Sequence, residues 1–333
     1  MTATPEQAGA LRLQRCEALD PESVAPGLFM PDTTGRPLAS VYSMTSRPGA
    51  VSWLGLDDAD HPVMHVCVVP RQFCLPDGTG FLGGLLGDLV VAPGMRNFWL
   101  PLKFFRQIIS ELTSNRELDF LYSDPTPQAV GLSRAGGFRL LGNLQRFVLP
   151  AGRPYGWLMQ LRRMARVERP LSWAAADPGR VDSVLAGLPP SRGFGPLRTA
   201  EDFRRGGNLP AGDRRRETAV LTDSAASGSP VALVAVEIDS RRRTIHLLKA
   251  SWDEGRVSIG GVLIGIAAEA RRRGLTKVGV SLLADSRLAT DAVAYGAIRR
   301  VDRLPVVIKE LRAGLTLPSA ADWALFHADG SAW

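Results

Sequence analysis

Cysteine is scarce. Cys16, Cys67 and Cys74 are the only three in 333 residues, an odd number without metal-ligand spacing. That excludes a disulfide framework and suits a reducing cytoplasm. Among the four histidines no H-E-x-x-H metal-ligand motif occurs. No run of about 18 apolar residues occurs, so no membrane span is expected. The opening MTATPEQAGA has neither the basic head nor the apolar core of a signal peptide. There is no P-loop, no nucleophile elbow, and no dinucleotide fingerprint followed by a suitable acid. Gly78-Thr79-Gly80 and Gly83-Gly84 read as turn glycines without a phosphate-loop setting.

What the chain does have is arginine. Its net charge of +7 is carried mostly by arginine rather than lysine, with clusters at Arg162-Arg163, Arg214-Arg215-Arg216, Arg241-Arg242-Arg243 and Arg271-Arg272-Arg273. Such clusters suit nucleic acid, an acidic carrier protein, a phosphorylated cofactor or an acidic polysaccharide, and more simply a solvated surface. No aromatic residues interleave with them, which argues against a single-strand stacking platform.

Along the chain, residues 1–35 are mixed, with weak helical signal around Gln7 to Ala18. Strands are expected at Leu38 to Met44, Ala50 to Leu54 and Val63 to Val69, then a hairpin over Arg71 to Gly80. An apolar strand from Leu85 to Ala92 runs through Pro93-Gly94-Met95-Arg96-Asn97 into a helix from about Phe98 to Leu112. A short strand at Asp119 to Tyr122 and a helix ending at Gly136-Gly137 complete a crossover unit. Residues 151–170 read as a linker holding a short basic helix. Beyond it the outline repeats: strands at Glu217 to Thr222, Val231 to Ile238 and Thr244 to Ala250, a helix from Ile259 stopping at Gly274, a strand at Lys277 to Leu283, and a helix from Ser286 ending at Gly296. A single shift carries Gly137 onto Gly296, Leu118 onto Lys277 and Leu112 onto Arg271, which marks an internal duplication.

This order of elements, with LGDLVVAP before the loop and GLSRAGGF at the second helix end, resembles the GNAT superfamily of N-acyltransferases. The resemblance covers Pro37 to Leu149 and, more faintly, Glu217 to Lys309. It implies an α/β (α+β) fold of two GNAT-like domains, 36–150 and 171–333, each with a mixed, mostly antiparallel central sheet flanked by helices. It also implies a thioester cofactor, acetyl-CoA or another acyl-CoA, lying where the sheet splays. The pantetheine arm would pair with the strand backbone of Leu89, Val90 and Val91, and the pyrophosphate would lie on the loop at Arg96, Asn97 and Phe98. Thr126 falls at the position of a cofactor-binding asparagine. In the second half the matching loop carries Arg256, Gly260 and Gly261. The sequence departs from the family at Trp99 and Pro101, which stand where small residues are usual; Pro101 also lacks an N–H.

Acyl transfer needs a base for the amine, a donor for the thioester oxygen and a proton for the leaving thiolate. The resemblance makes the main chain of Val90 or Val91 the oxyanion donor. Asp88, on the key strand, reads as the base or as a structural carboxylate. Ser133 stands where the family's general-acid tyrosine would be. In the second half Glu237 and His246, on neighbouring strands, form an acid–base pair. His65 reads as a satisfied core residue, and Trp53, Tyr122 and Trp252 as pocket or core. The expected activity is transfer of an acyl group to a small-molecule amine or amino sugar. An aminoacyl-tRNA-dependent (Fem-like) ligase and a non-catalytic binding or regulatory module are the alternatives. An acyl carrier protein or tRNA is a further partner to test.

Overall fold

The computed structural model describes residues 11–17, 19–20, 28, 44–45, 47, 49–95, 99–152, 171–204, 214–224, 228–326 and 329. The expected linker helix and most of residues 1–48 lie outside these.

In the first half, β1 (Arg12–Glu17), β2 (Val51–Leu56), β3 (Pro62–Cys74) and β4 (Gly80–Val91) form an antiparallel meander. Helix α1 (Trp99–Asn115) then crosses to β5 (Phe120–Ser123), which runs parallel to β4; α2 (Val130–Ala135) and the long β6 (Arg139–Pro150) follow. The second half contains β7 (Leu171–Ala175), α3 (Pro178–Gly187), β8 (Gly195–Pro196), α4 (Ala200–Arg204), β9 (Arg214–Asp223), β10 (Pro230–Asp239) and β11 (Thr244–Trp252). It ends with α5 (Ile259–Arg272), β12 (Lys277–Leu283), α6 (Arg287–Ala294) and β13 (Ile298–Glu310).

Local chemistry explains many of the boundaries. The side chains of Asp177, Ser258 and Ser286 accept hydrogen bonds from the first-turn amides of α3, α5 and α6, replacing partners the helix cannot supply. Gly137, Gly274 and Gly296 take positive φ just past helix ends, where other residues are strained. One expectation fails: the helical signal at Gln7 to Ala18 gives way to the strand β1. There Leu11 and Leu13 pack against the core under α1, and every residue of β1 pairs with β2. Edge pairing and burial outweigh a weak helical propensity.

The two halves share one sheet, in the order β1-β2-β3-β4-β5-β13-β6-β12-β11-β10-β9-β7. Their last strands are exchanged. β6 leaves the first half to pair with β12, and β13 leaves the second to pair with β5. β6 and β13 then pair with each other at the centre. One face carries α1 over the first half and α5 with α6 over the second. The other face holds α3 and α4 over the second half. Over the first half it carries an aromatic core of Phe73, Phe120, Tyr122, Phe194 and Trp323.

The chain after β13 folds back into this sheet. Leu282 on β12 pairs with Phe326, and Trp323 pairs with Phe194, just ahead of β8, which pairs with the end of β3. Main-chain pairing therefore runs in a closed circuit through β3, β4, β5, β13, β6, β12, the 323–326 segment and β8.

Candidate active site

β4 and β5 stay together for only three residue pairs, Gly83 with Phe120, Gly84 with Leu121 and Leu85 with Tyr122. Leu86 to Val91 then continues without a strand on that side among the described residues. Side chains explain the tight start of the gap: a Cβ on Gly83 would lie 2.5 Å from the Phe120 ring, and one on Gly84 2.6 Å from Leu118. Just beyond, β4 bulges. His65 pairs with Val90 and Cys67 with Gly87, so β4 spends one residue more than β3 over this stretch. Asp88 takes φ of 49°, the left-handed region. This bulge breaks the two-residue alternation that would set Asp88 and Val90 on one side.

His65 fastens the bulge. Its Nδ1 lies 2.8 Å from the Asp88 carbonyl oxygen and its Nε2 3.0 Å from the Ser52 hydroxyl. Burial lowers its pKa to about 4, so the ring is neutral. The Asp88 carboxylate accepts from the Thr45 N–H (3.0 Å) and hydroxyl (2.9 Å). Burial raises its pKa; these hydrogen bonds and the charge of Arg47 oppose the rise without cancelling it. Past the bulge, Ala92 donates to Val63 at 2.9 Å, which makes 63/92 and 65/90 the hydrogen-bonded pairs. The Val91 main chain accordingly faces away from β3, toward the gap, while Val90 faces β3. Gly87 to Val91 are only half-buried.

Arg96, Asn97 and Phe98 lie outside the described residues. Trp99 is 75% exposed, so its indole does not fill the gap; Pro101 is buried in the first turn of α1. Thr126 is exposed, and its carbonyl accepts from Ala129 and Val130. Ser133 is buried, and its hydroxyl donates to the Ala129 carbonyl of its own helix at 3.2 Å.

The second half repeats the wedge. β11 and β12 pair from Thr244 with Lys277 to Leu247 with Val280, then part. β11 also bulges, because Ala235 pairs with Lys249 and the adjacent Val236 with Leu247, leaving Leu248 as the extra residue. The shift that carries Gly137 onto Gly296 carries Leu89 onto Leu248, so the duplication extends to the bulge. The contents of the two wedges differ. Phe326 takes the place beside Leu282 that β11 vacates, and its ring lies edge-on to Trp252 at 6.2 Å. Trp323 and Leu325 point into one core, and Ala324 and Phe326 into the other, as in a strand lying in the sheet. Leu248, Lys249, Ala250 and Trp252 are buried. A cleft of about 230 Å³ remains along Ala250 to Trp252, walled by Ala324 and Phe326.

The inserted segment is held by charge. Asp329 receives both guanidinium nitrogens of Arg198, at 2.7 and 2.9 Å, and caps the Phe326 N–H at 2.8 Å; Arg71 stands 3.8 Å away. Burial would raise the Asp329 pKa, but these cations hold it below the usual carboxylate range. Beside it, Lys249 donates to Asp202 at 2.9 Å.

The helix start in this half is also occupied from within. Gly260 N–H is bonded to the Asp291 carboxylate at 2.9 Å and Gly261 N–H to the Ser258 hydroxyl at 3.0 Å. A phosphate there would displace a carboxylate already in place. A Cβ on Gly260 would fall 2.1 Å from the Tyr295 ring, so this glycine serves helix packing. Arg256 reaches Asp223 at 3.6 Å and the Pro230 carbonyl at 3.4 Å. Glu237 and His246 are paired across β10 and β11, but Glu237 is engaged by Arg214 (3.4 Å) and Arg216 (3.6 Å). Trp53, Tyr122 and Trp252 are core residues.

Sequence reasoning missed Asp291, Phe326 and Asp329. Asp291, in an otherwise amphipathic helix, carried no distinguishing signal, and the other two lie in a segment without periodicity.

The fold is that of the GCN5-related N-acetyltransferases, in tandem form. It is similar to a probable N-acyltransferase from Enterococcus faecalis V583 (TM-score 0.60, 12% identity, covering 91% of this chain and 73% of that one). A GCN5-related N-acetyltransferase from Kribbella flavida gives a TM-score of 0.57 at 11% identity, over 91% and 72% of the two chains. A tandem GNAT protein from the clavulanic acid biosynthesis pathway gives 0.51 at 15% identity, over 92% of this chain and all of that one. In sequence, no family model and no curated protein matches. No helix among the described residues is long and apolar enough to cross a membrane.

Proposed function

We propose that the chain is an N-acyltransferase whose acyl thioester lies in the first wedge only. The observation that carries this is the contrast in exposure. Gly87 to Val91 stay half-buried beside an edge that no strand among the described residues occupies, whereas Leu247 to Ala250 on β11 are buried and Phe326 stands beside Leu282 on β12. An extended, amide-bearing chain such as pantetheine fits a strand edge of this kind, with Val91 facing it. Acyl-CoA, acetyl-CoA among others, supplies an activated carbonyl carbon and a thiolate leaving group.

The chain's own residues then have distinct tasks. The strand main chain past the bulge polarises the thioester oxygen. Asp88, with its raised proton affinity, takes the proton of a small-molecule amine or amino sugar as nitrogen bonds to carbon and the carbon–sulfur bond breaks. The Ser133 hydroxyl is committed to Ala129, so the thiolate takes its proton from water. The second half, 171–333, supports the first through β13, and 36–150 remains the catalytic segment. Three free cysteines accord with a cytoplasmic setting.

The internal ion pairing of the arginine clusters weighs against a tRNA-dependent ligase. Arg214 and Arg216 face Glu237, Arg215 faces Glu217, and Arg272 and Arg273 face Glu269. The test is thermal unfolding with acetyl-CoA, longer acyl-CoAs and tRNA. At a hundredfold excess over Kd a bound thioester adds about 2.7 kcal/mol. That gain should vanish in Val91→Pro, which disrupts the strand main chain past the bulge, and survive in Asp291→Asn. No response to any acyl-CoA, or loss of the response in Asp291→Asn alone, overturns the assignment.

A further inference from the structure

The face of the second half opposite α5 contains a cavity of about 180 Å³ that acyl transfer in the first wedge does not use. Five strands and one turn bring its walls together: Arg214 on β9, Glu237 on β10, His246 on β11, Ser281 on β12, Arg146 on β6, and Arg242 after β10. The register explains the grouping. Glu237 pairs with His246, His246 with Gly279, and Ser281 with Arg146, so one face of adjacent strands contributes them all. Gly279 makes room, since a Cβ there would lie 2.5 Å from the His246 ring.

The charges do not balance. Glu237 is matched by Arg214 and Arg216. Asp239 is matched by Arg214 (3.6 Å) and Arg242 (3.7 Å), and accepts the Arg242 N–H at 2.7 Å. These two carboxylates already face three guanidiniums. Arg146, on the opposite wall, adds a fourth, and its side chain makes no hydrogen bond or ion pair among the described residues. His246 adds no charge at neutral pH. Burial, with Arg146, Arg214 and Arg242 nearby, outweighs the attraction of Asp239 and lowers its pKa to about 4. Among the lining residues three guanidiniums, Arg146, Arg214 and Arg242, face one carboxylate, Glu237, so the cavity is net positive, the complement of an anionic group. The volume corresponds to about six waters at ~30 Å³ each, room for a phosphate group and the first atoms of its ester.

We infer that this cavity is a binding site for a small phosphate monoester, held between Arg146 and Arg214 with the His246 ring and the Ser281 hydroxyl as further hydrogen-bond partners. The site does not depend on the acyltransferase reading. It gives the second half a ligand of its own, on the face opposite α5.

The experiment uses the full chain with inorganic phosphate as probe, by isothermal titration and thermal unfolding, against sodium chloride at equal ionic strength. Phosphate should bind and raise Tm where chloride does not. Arg146→Ala should weaken phosphate at least tenfold while leaving Tm without phosphate unchanged, because Arg146 has no hydrogen bond or ion pair to lose among the described residues. Arg146→Lys should retain part of the affinity, and Arg303→Ala, on exposed β13, all of it. The inference is overturned if phosphate and chloride act alike, if Arg146→Ala binds phosphate as the unaltered chain does, or if Arg303→Ala weakens it equally.

Discussion

The two wedges descend from one plan and differ in what fills them. Both open after a short parallel pairing, and both bulge on the same strand at matching positions. In the first, the strand edge past the bulge stays half-exposed. In the second, the chain inserts its own 323–326 segment and sets the Asp291 carboxylate at the helix start. A duplicated scaffold can thus keep its architecture while its two copies place different groups beside the same bulge.

The strongest way to break this comparison is to cut it in two. Residues 1–152 and 153–333, expressed separately, should each lack a cooperative unfolding transition, because β6 and β13 would be in the wrong fragment. Co-expression should restore one transition. A sharp transition in either fragment alone would show that the exchange is dispensable.

Next in size is the anchor of the inserted segment. Asp329→Ala leaves Arg198 buried without its partner and should cost about 3–5 kcal/mol in denaturant unfolding. A loss below about 1 kcal/mol would mean that the second wedge is not held shut by this pair.

Each half also has one histidine whose pKa falls from 6.5 to about 4. The folded chain keeps these rings neutral, while the unfolded chain protonates them below 6.5. Stability is therefore full above pH 6.5 and declines as pH falls toward 4. For buried His65 this amounts to roughly 3 kcal/mol; the more exposed His246 should contribute less. His65→Gln should flatten the acid side of the stability curve more than His246→Gln does. The reverse ranking would place the tighter packing in the second half.

The smallest effect compares the two loops. Gly260→Ala drives a methyl into Tyr295 and should cost about 1–3 kcal/mol. Gly94→Ala, in the corresponding first-half loop, meets nothing within 4 Å and should leave Tm unchanged. Equal costs would mean that the first loop is as tightly packed as the second.

Much of this architecture was legible in the residues. Helix ends were marked by Gly137, Gly274 and Gly296, and the apolar strands around β4 and β11 by composition. The single shift relating the halves also locates their bulges. The exchange of β6 and β13 was not legible, because their apolar pattern is satisfied equally by either neighbour and only the three-dimensional register decides. The left-handed turn at Asp88 was hidden too, since aspartate tolerates that conformation without requiring it. The ion pairing of the arginine triplets depends on Glu217, Glu237 and Glu269, which lie on other turns or strands, so a run of like charge looked free when it was not.

The strand exchange has a consequence for synthesis. The amino-terminal half lacks the neighbour of β5 until Ile298–Glu310 emerges from the ribosome. At about 5–20 residues per second, the stretch between β6 and β13 takes roughly ten to thirty seconds to translate. For that interval the β5 edge that pairs with β13 has no native partner. A chaperone that binds nascent chains would meet this protein early and stay until its end is made.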